Sequence, residues 1–349
     1  MYIRQCVRTD LPGIAAVWNA SVRDHEVVYF PMDEAALEAK FWLDPSFDPA
    51  YCFVAEDAGE VVGFIIGICQ KRFLNGEDAF NTPGYLNSVF VRRDHRRAGV
   101  GTALMDAMTD AFRRAGKTTV AVNNNDPVNL SWTIPTSPGH DHNNAPGVDE
   151  DCPGFEFLKA LGFTVTDREI ALYLPLGEYK PWPGMEEARQ RLLREGIYTG
   201  RFIPDHFPDY DRICDRVGSE YWRSVIASEM ACYRENRPCT DPRYLPDGRI
   251  PSGPRPLLVA EHEGHIVGFT GPVDLQKSGR GWFTGIFTDP MYEKRSIASV
   301  LFHLLMREFI LEGASFSSIF TGIENHAQKI YLRAGFRIVR TFSAMKKEI

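Results

Sequence analysis

Four absences narrow the reading of this chain. No stretch reaches the ~20 apolar residues that a membrane-crossing helix needs; the longest apolar run near the start, 61–69, is nine residues. The opening MYIRQCVRTD is charged by its fourth residue and lacks the apolar heart of a signal peptide. There is no C-x-x-C. The seven cysteines are odd in number and scattered at Cys6, Cys52, Cys69, Cys152, Cys214, Cys232 and Cys239, which fits reduced thiols in a cytoplasmic protein rather than a disulfide framework or a zinc site. There is no basic excess: 39 Lys and Arg stand against 46 Asp and Glu, a net charge of −7, which disfavours a protein that lives by neutralising nucleic-acid phosphate.

What is present is ordinary globular composition, 44% hydrophobic over 349 residues, enough for about two domains. The chain also repeats itself. FVAEDAGEVVGF (53–64) lies against LVAEHEGHIVGF (258–269) with seven of twelve positions identical, at an offset of 205. SVFVRRDHRRAGVGTAL (88–104) follows against GIFTDPMYEKRSIASVL (285–301) at 197, then FLKALGF (157–163) against IYLRAGF (330–336) at 173. Three blocks in one order mean one domain type duplicated. The falling offset places an insertion of 24 residues in the first copy within about 125–155, a Pro-, Gly-, Asn- and Asp-rich stretch that reads as an irregular loop. The domain reading is therefore 1–176, a linker at 177–195, and 196–349.

Within each copy, helices and strands alternate. A helix is expected over 9–24, with Asp10 as its cap, Pro12 in its first turn, and Leu11, Ile14, Ala15 and Trp18 on one face. Strands are expected at 52–56, 61–69, 86–91 and 118–123, helices at 101–115 and 154–161, and closing strands over 163–176. The second copy repeats this, with helix over 207–236 and 298–312 and closing strands over 336–348. Trp132 and Ile134 are read as anchors of the insert.

The strongest local signal is Arg96-Arg97-Ala98-Gly99-Val100-Gly101-Thr102 between a strand and a helix. Glycines let the backbone approach an anion and adopt positive φ, while the unpaired first amides and the dipole of the helix point at the same spot. Arg96 and Arg97 add charged donors. The loop lacks the lysine of a Walker A sequence, and Leu104 stands where a dinucleotide fingerprint needs its third glycine.

A strand, an R-x-x-G-x-G loop, a helix, then strand, short helix and Gly-Phe, occurring twice, resembles the GNAT (Gcn5-related N-acetyltransferase) superfamily over about 300 residues. The resemblance implies an α/β fold class: two tandem copies of a mixed, mostly antiparallel twisted sheet flanked by helices, with a splayed parallel strand pair. It implies an acyl-CoA-dependent N-acyltransferase that moves an acetyl group from acetyl-CoA to a primary amine of a small molecule by direct attack. It implies that Val89 and Val91 lie beside the pantetheine arm, and that Arg96, Arg97, Ala98, Gly99, Val100, Gly101 and Thr102 surround the pyrophosphate. The second loop departs from the pattern, with Glu293, Ser296 and Ala298 aligned to Arg96, Gly99 and Gly101; a carboxylate there repels the pyrophosphate. Tyr331, four residues before Gly335, stands where the family often has its acid, and the first copy has Leu158 at that place. Tyr331, His140, His142 and Tyr173 are thus the catalytic candidates, with catalysis expected in the first copy. Alternatives are catalysis in the second copy through Tyr331, or a regulatory domain that binds acetyl-CoA without turnover. His140-Asp141-His142 is an incomplete ligand set, so no metal is expected; the insert is read as a plain solvated loop or as a lid over the acceptor pocket. No nucleic-acid or membrane partner is expected, and the chain is read as a monomer or homodimer.

Overall fold

The computed structural model describes all residues except Leu74, Asn75, Pro204, Asp205, Phe207, Pro242, Arg243, Pro246, Asp247 and Gly248. The chain divides into two compact units, Met1–Ala171 with Val339–Ile349, and Leu172–Ile338. The segment 177–195 lies within the second.

The first unit carries helices α1 (Leu11–Arg23), α2 (Glu34–Leu37), α3 (Val100–Arg114) and α4 (Pro153–Ala160). Its strands are β1 (Tyr2–Gln5), β2 (Cys52–Asp57), β3 (Glu60–Cys69), β4 (Gly84–Val91), β5 (Thr119–Val122), β6 (Trp132–Thr133), β7 (Asp141–His142), β8 (Val148–Asp149) and most of β9 (Thr164–Pro175). The second unit has α5 (Met185–Arg194), α6 (Asp211–Val217), α7 (Glu220–Arg234), α8 (Ile297–Leu311) and α9 (Gln328–Arg333). Its strands are β10 (Tyr198–Arg201), β11 (Leu258–His262), β12 (His265–Gly271), β13 (Asp274–Leu275), β14 (Arg280–Trp282), β15 (Gly285–Thr288) and β16 (Phe316–Gly322). The last strand, β17 (Arg337–Glu348), returns from Val339 onward to the first unit.

In the first unit β1, β2, β3 and β4 run antiparallel in that order, β4 pairs β5 in parallel, and β17 closes antiparallel on β5 with Met345 opposite Val122. Alternating side chains feed two cores. On one face Trp18 of α1 stacks on Phe90 with ring centroids 4.7 Å apart, beside Phe64, Ile14 and Leu37. On the other, Leu104, Met108 and Phe112 of α3 pack on Val62, Ile65 and Leu86. Burying such side chains contributes about 1.5–3 kcal/mol each. This is the mixed, mostly antiparallel sheet flanked by helices that the family resemblance implies.

The duplication extends to packing. A Cβ on Gly84 would lie 2.6 Å from Phe112, and one on Gly281 would lie 2.5 Å from Phe309, the same pair 197 residues later. Both positions admit glycine alone because the helix ring rests on the strand backbone. The β2–β3 hairpin slips register at Ala55/Glu56, and the β11–β12 hairpin at Ala260/Glu261, 205 residues on.

Several local expectations change. Asp10 precedes α1, but its carboxylate makes no side-chain cap bond; it accepts from Arg4 at 2.6 and 2.7 Å and from the Val7 amide. The helix expected over 207–236 is two, α6 and α7, divided at Gly218, and Phe207 lies outside the described residues. Each set of closing strands is one long strand, β9 or β17. The insert is not irregular throughout: β6 and β7 form a hairpin, with Trp132 and Ile134 buried as anchors.

Candidate active site

The parallel ladder between β4 and β5 consists of Gly84 opposite Val120 and Tyr85 opposite Ala121, after which the strands part. A bulge adds to the opening: Ile66 faces Ser88 while Gly67 faces Leu86, so Asn87 is the extra residue on β4. The cleft so formed is the mouth of a cavity of about 980 Å³ within the first unit.

One end of the cavity is the loop before α3. Arg97 has φ +60° and Gly99 φ +80°, and α3 starts at Val100. The amides of Val100, Gly101 and Thr102 are the helix-start donors that no earlier turn can satisfy. A Cβ built on Gly99 meets nothing within 4 Å, so the space over the loop is open, whereas one on Gly101 would lie 3.0 Å from Phe157. Open space, helix-start amides and two arginines suit a diphosphate, and this fits the acetyl-CoA that the family resemblance implies. Arg96 is already engaged: it donates to both carboxylate oxygens of Glu26 at 2.7 and 2.5 Å and to the Val91 carbonyl at 2.8 Å. That guanidinium holds the Glu26 carboxyl below the usual range.

The other end was not read from the sequence. Asp126 follows β5 and lies buried in the cavity wall. Its Oδ1 accepts from the Val128 amide at 2.9 Å, and its Oδ2 from the Asn87 side chain at 2.9 Å. The bulge thus delivers the residue that orients the acid. Burial pushes the Asp126 carboxyl up to about 6, against the pull of those two bonds. Tyr29, Asp149 and Cys152 line the same space. Burial raises all three, and burial together with the nearby Asp149 carboxylate takes the Cys152 thiol to about 11. Asp149 is placed by the pairing of β8 with β17, where it faces Phe342.

Of the loop and strand residues singled out in the sequence, Val89, Val91, Arg96, Arg97, Gly99, Val100, Gly101 and Thr102 line the cavity; Ala98 does not. The four catalytic candidates are not among its lining residues. His142 is buried and stacks on Trp132, with centroids 5.7 Å apart and planes 3° from parallel. His140 lies half-buried beside this hairpin, its carbonyl accepting from the Ile134 amide. Tyr173 is buried near Phe316 in the second unit. Tyr331, also in the second unit, packs on Phe302 and Phe336, and burial takes its hydroxyl up to about 12. The stretch 125–155 does reach the cavity, Asp126, Val128, Gly147 and Asp149 among its lining residues, but not through its histidines.

The second loop keeps the backbone and changes the chemistry. Lys294 has φ +61° and Ser296 φ +71°, matching Arg97 and Gly99. Arg191 of α5 donates to the Arg295 carbonyl at 3.1 Å and to the Ser296 hydroxyl at 3.4 Å.

Among the described residues, no helix is long and apolar enough to cross a membrane, and no group of three or more His, Cys, Asp or Glu is placed to hold a metal ion.

The model of the acetyltransferase (GNAT) family matches residues 16–130 and 222–336. L-methionine sulfoximine/L-methionine sulfone acetyltransferases of Pseudomonas paraeruginosa and Pseudomonas aeruginosa are each 32% identical over 118 residues, 33% of this chain and 64% of theirs. The chain thus spans just under two thirds of those relatives. Among solved structures, a GCN5-related N-acetyltransferase from Sphaerobacter thermophilus is 18% identical with a TM-score of 0.57, over 99% of this chain and 95% of that one. A tandem GNAT protein from the clavulanic acid biosynthesis pathway is 14% identical with a TM-score of 0.54, over 99% and 98%. These two share the fold.

Proposed function

Since the chain belongs to the GNAT acetyltransferase family, we propose that its first unit transfers the acetyl group of acetyl-CoA to the primary amine of a small molecule. The observation that carries this reading is one cavity with an open anion cradle at one end and a buried carboxylate of raised pKa at the other. Acetyl-CoA supplies the activated acyl group; the chain supplies binding, orientation and a proton acceptor.

The amides of Val100, Gly101 and Thr102, with Arg97, hold the diphosphate. The edge of β4 that β5 leaves uncovered offers main-chain groups to the extended thioester arm. Asp126 lies in the cavity wall beside the β4 bulge, and it is ionised above about pH 6. It takes a proton from the arriving ammonium, as a general base poised near neutrality does. The amine nitrogen then forms its bond to the acyl carbon as the carbon–sulfur bond breaks, and the second nitrogen proton ends on the departing thiolate. Arg96 is a positioning residue: bound to Glu26 and the Val91 carbonyl, it locks the loop to the end of β4.

The test is thiol release from acetyl-CoA over a panel of amines, with pH profiles for the wild type and Asp126→Asn. The wild-type kcat/KM is expected to rise with pH through a limb near 6. Asp126→Asn is expected to lose that limb and about 100-fold in rate. Unchanged profile and rate in the variant rule out the base, and absence of saturable acetyl-CoA binding rules out the reading.

A further inference from the structure

We propose that the acceptor is a cationic amine without a carboxylate, a di- or polyamine or an amino sugar, with its ammonium at Asp126 and a second polar group at Ser88 and Asn87. This rests on the acetyl-transfer reading above and names the substrate class for the same cavity.

The argument is a matter of where charge sits. Cations line the cavity only at its diphosphate end, among the described residues: Arg93, Arg96 and Arg97, all on or just before the α3 loop. Arg96 is neutralised by Glu26, and the other two flank the cradle. The acceptor end holds Asp126 and Asp149, with no lysine, histidine or further arginine in the lining. The cations just outside the lining are already engaged with acids, these two included. Lys40 acts on Asp44 and Asp126 from the helical turn Glu38–Trp42, and Arg340 lies 3.4 Å from Asp149 and 3.0 Å from Asp151. An α-amino acid would bring a carboxylate beside these acids with no uncommitted cation in the lining to meet it, among the described residues, and a buried unpaired charge of the wrong sign is costly. An ammonium meets the opposite situation. Each Asp126 oxygen accepts one hydrogen bond and keeps a lone pair for another.

A second, independent observation marks the same spot. Ser88 is 6% exposed, and its hydroxyl and the Asn87 Oδ1 are buried atoms with no hydrogen-bond partner among the described residues. Both residues line the cavity at the β4 bulge. Buried polar atoms rarely go unpaired, and a hydroxyl or a second ammonium drawn into the bulge would supply the partner that both lack.

Cadaverine and L-lysine differ only by the carboxylate, and they are compared with glucosamine and L-methionine sulfoximine as acceptors for the full chain with acetyl-CoA. The expected result is kcat/KM at least ten-fold higher for cadaverine than for lysine, with glucosamine above L-methionine sulfoximine. In Asp126→Asn, KM for the better acceptor is expected to rise at least ten-fold while calorimetric acetyl-CoA affinity stays within two-fold, which also reports that the variant is folded. Faster turnover of either carboxylate-bearing amine overturns the proposal. So does acetyl-CoA binding without turnover of cadaverine or glucosamine, which leaves the cofactor site standing. Failure of acetyl-CoA to bind the wild type overturns the underlying reading instead.

Discussion

The α3 loop and its counterpart before α8 follow one backbone path with opposite chemistry. Arg97 and Lys294 share φ near +60°, and Gly99 and Ser296 both occupy the left-handed region, yet a serine there costs about 1 kcal/mol that a glycine does not. Arg96 anchors its loop through Glu26, while Glu293 offers a carboxylate at the aligned place. One loop opens onto a cavity; the other has Arg191 bonded to Arg295 and Ser296. The strand ends differ likewise: Asp126 follows β5, and at the offset of 197 its counterpart after β16 is Ile323. The difference teaches that a strand-to-helix turn keeps its shape under different side chains where the strand and helix beside it pack alike, here through Phe112 on Gly84 and Phe309 on Gly281.

The largest break in this comparison is expected from paired charge insertions. Gly99→Glu puts a side chain at positive φ and a carboxylate over the open cradle, and acetyl-CoA affinity by calorimetry is expected to fall about 100-fold or more, ~3 kcal/mol. Ser296→Glu is expected to leave it within two-fold. Equal effects would mean that both loops bind.

Next comes the acid that the second unit lacks. The Asp126 carboxyl titrates near 6 in the folded chain and near 4 unfolded, so the fold binds more protons between those values and loses stability as pH rises through them. Asp126→Asn is expected to be more stable than wild type above pH 6, by on the order of 2 kcal/mol, with the gap closing below pH 4. Urea unfolding at pH 4 and 7.5 measures it, and a gap independent of pH removes the raised pKa. Arg96→Ala is expected to cost about ten-fold in acetyl-CoA affinity by freeing the loop from Glu26, while Glu293→Ala costs nothing. The smallest effect is Ser296→Gly, which relieves the left-handed strain and is expected to add about 0.5 kcal/mol in the same unfolding assay.

The repeat, the loop and the site of the insert were legible because each is local: a few contiguous residues carry the turn, the glycine and the hydrophobic period. Asp126 was not. In NNNDPVN the Asp-Pro pair reads as a turn, and its meaning comes only when a bulge on β4 brings Asn87 against it from 39 residues away in sequence. The histidines show the converse. Their alternation was visible, but whether β7 turns His142 to the cavity or to Trp132 is decided by tertiary packing. Asp10 beside a helix start looked like a cap, and a nearby arginine, Arg4, claimed its carboxylate instead.

The first unit's sheet is finished by residues from the far end of the polypeptide. Met345 through Glu348 pair with β5, and Phe342 and Ser343 hold the strand that carries Asp149. A ribosome reaches Val339–Ile349 long after it has released the rest of the first unit, so the earlier-made strands wait, with β5 bare on one side, until that segment emerges. A fragment ending at 176 therefore lacks the strand that pairs with β5 and with β8, and is expected to be less stable than the full chain.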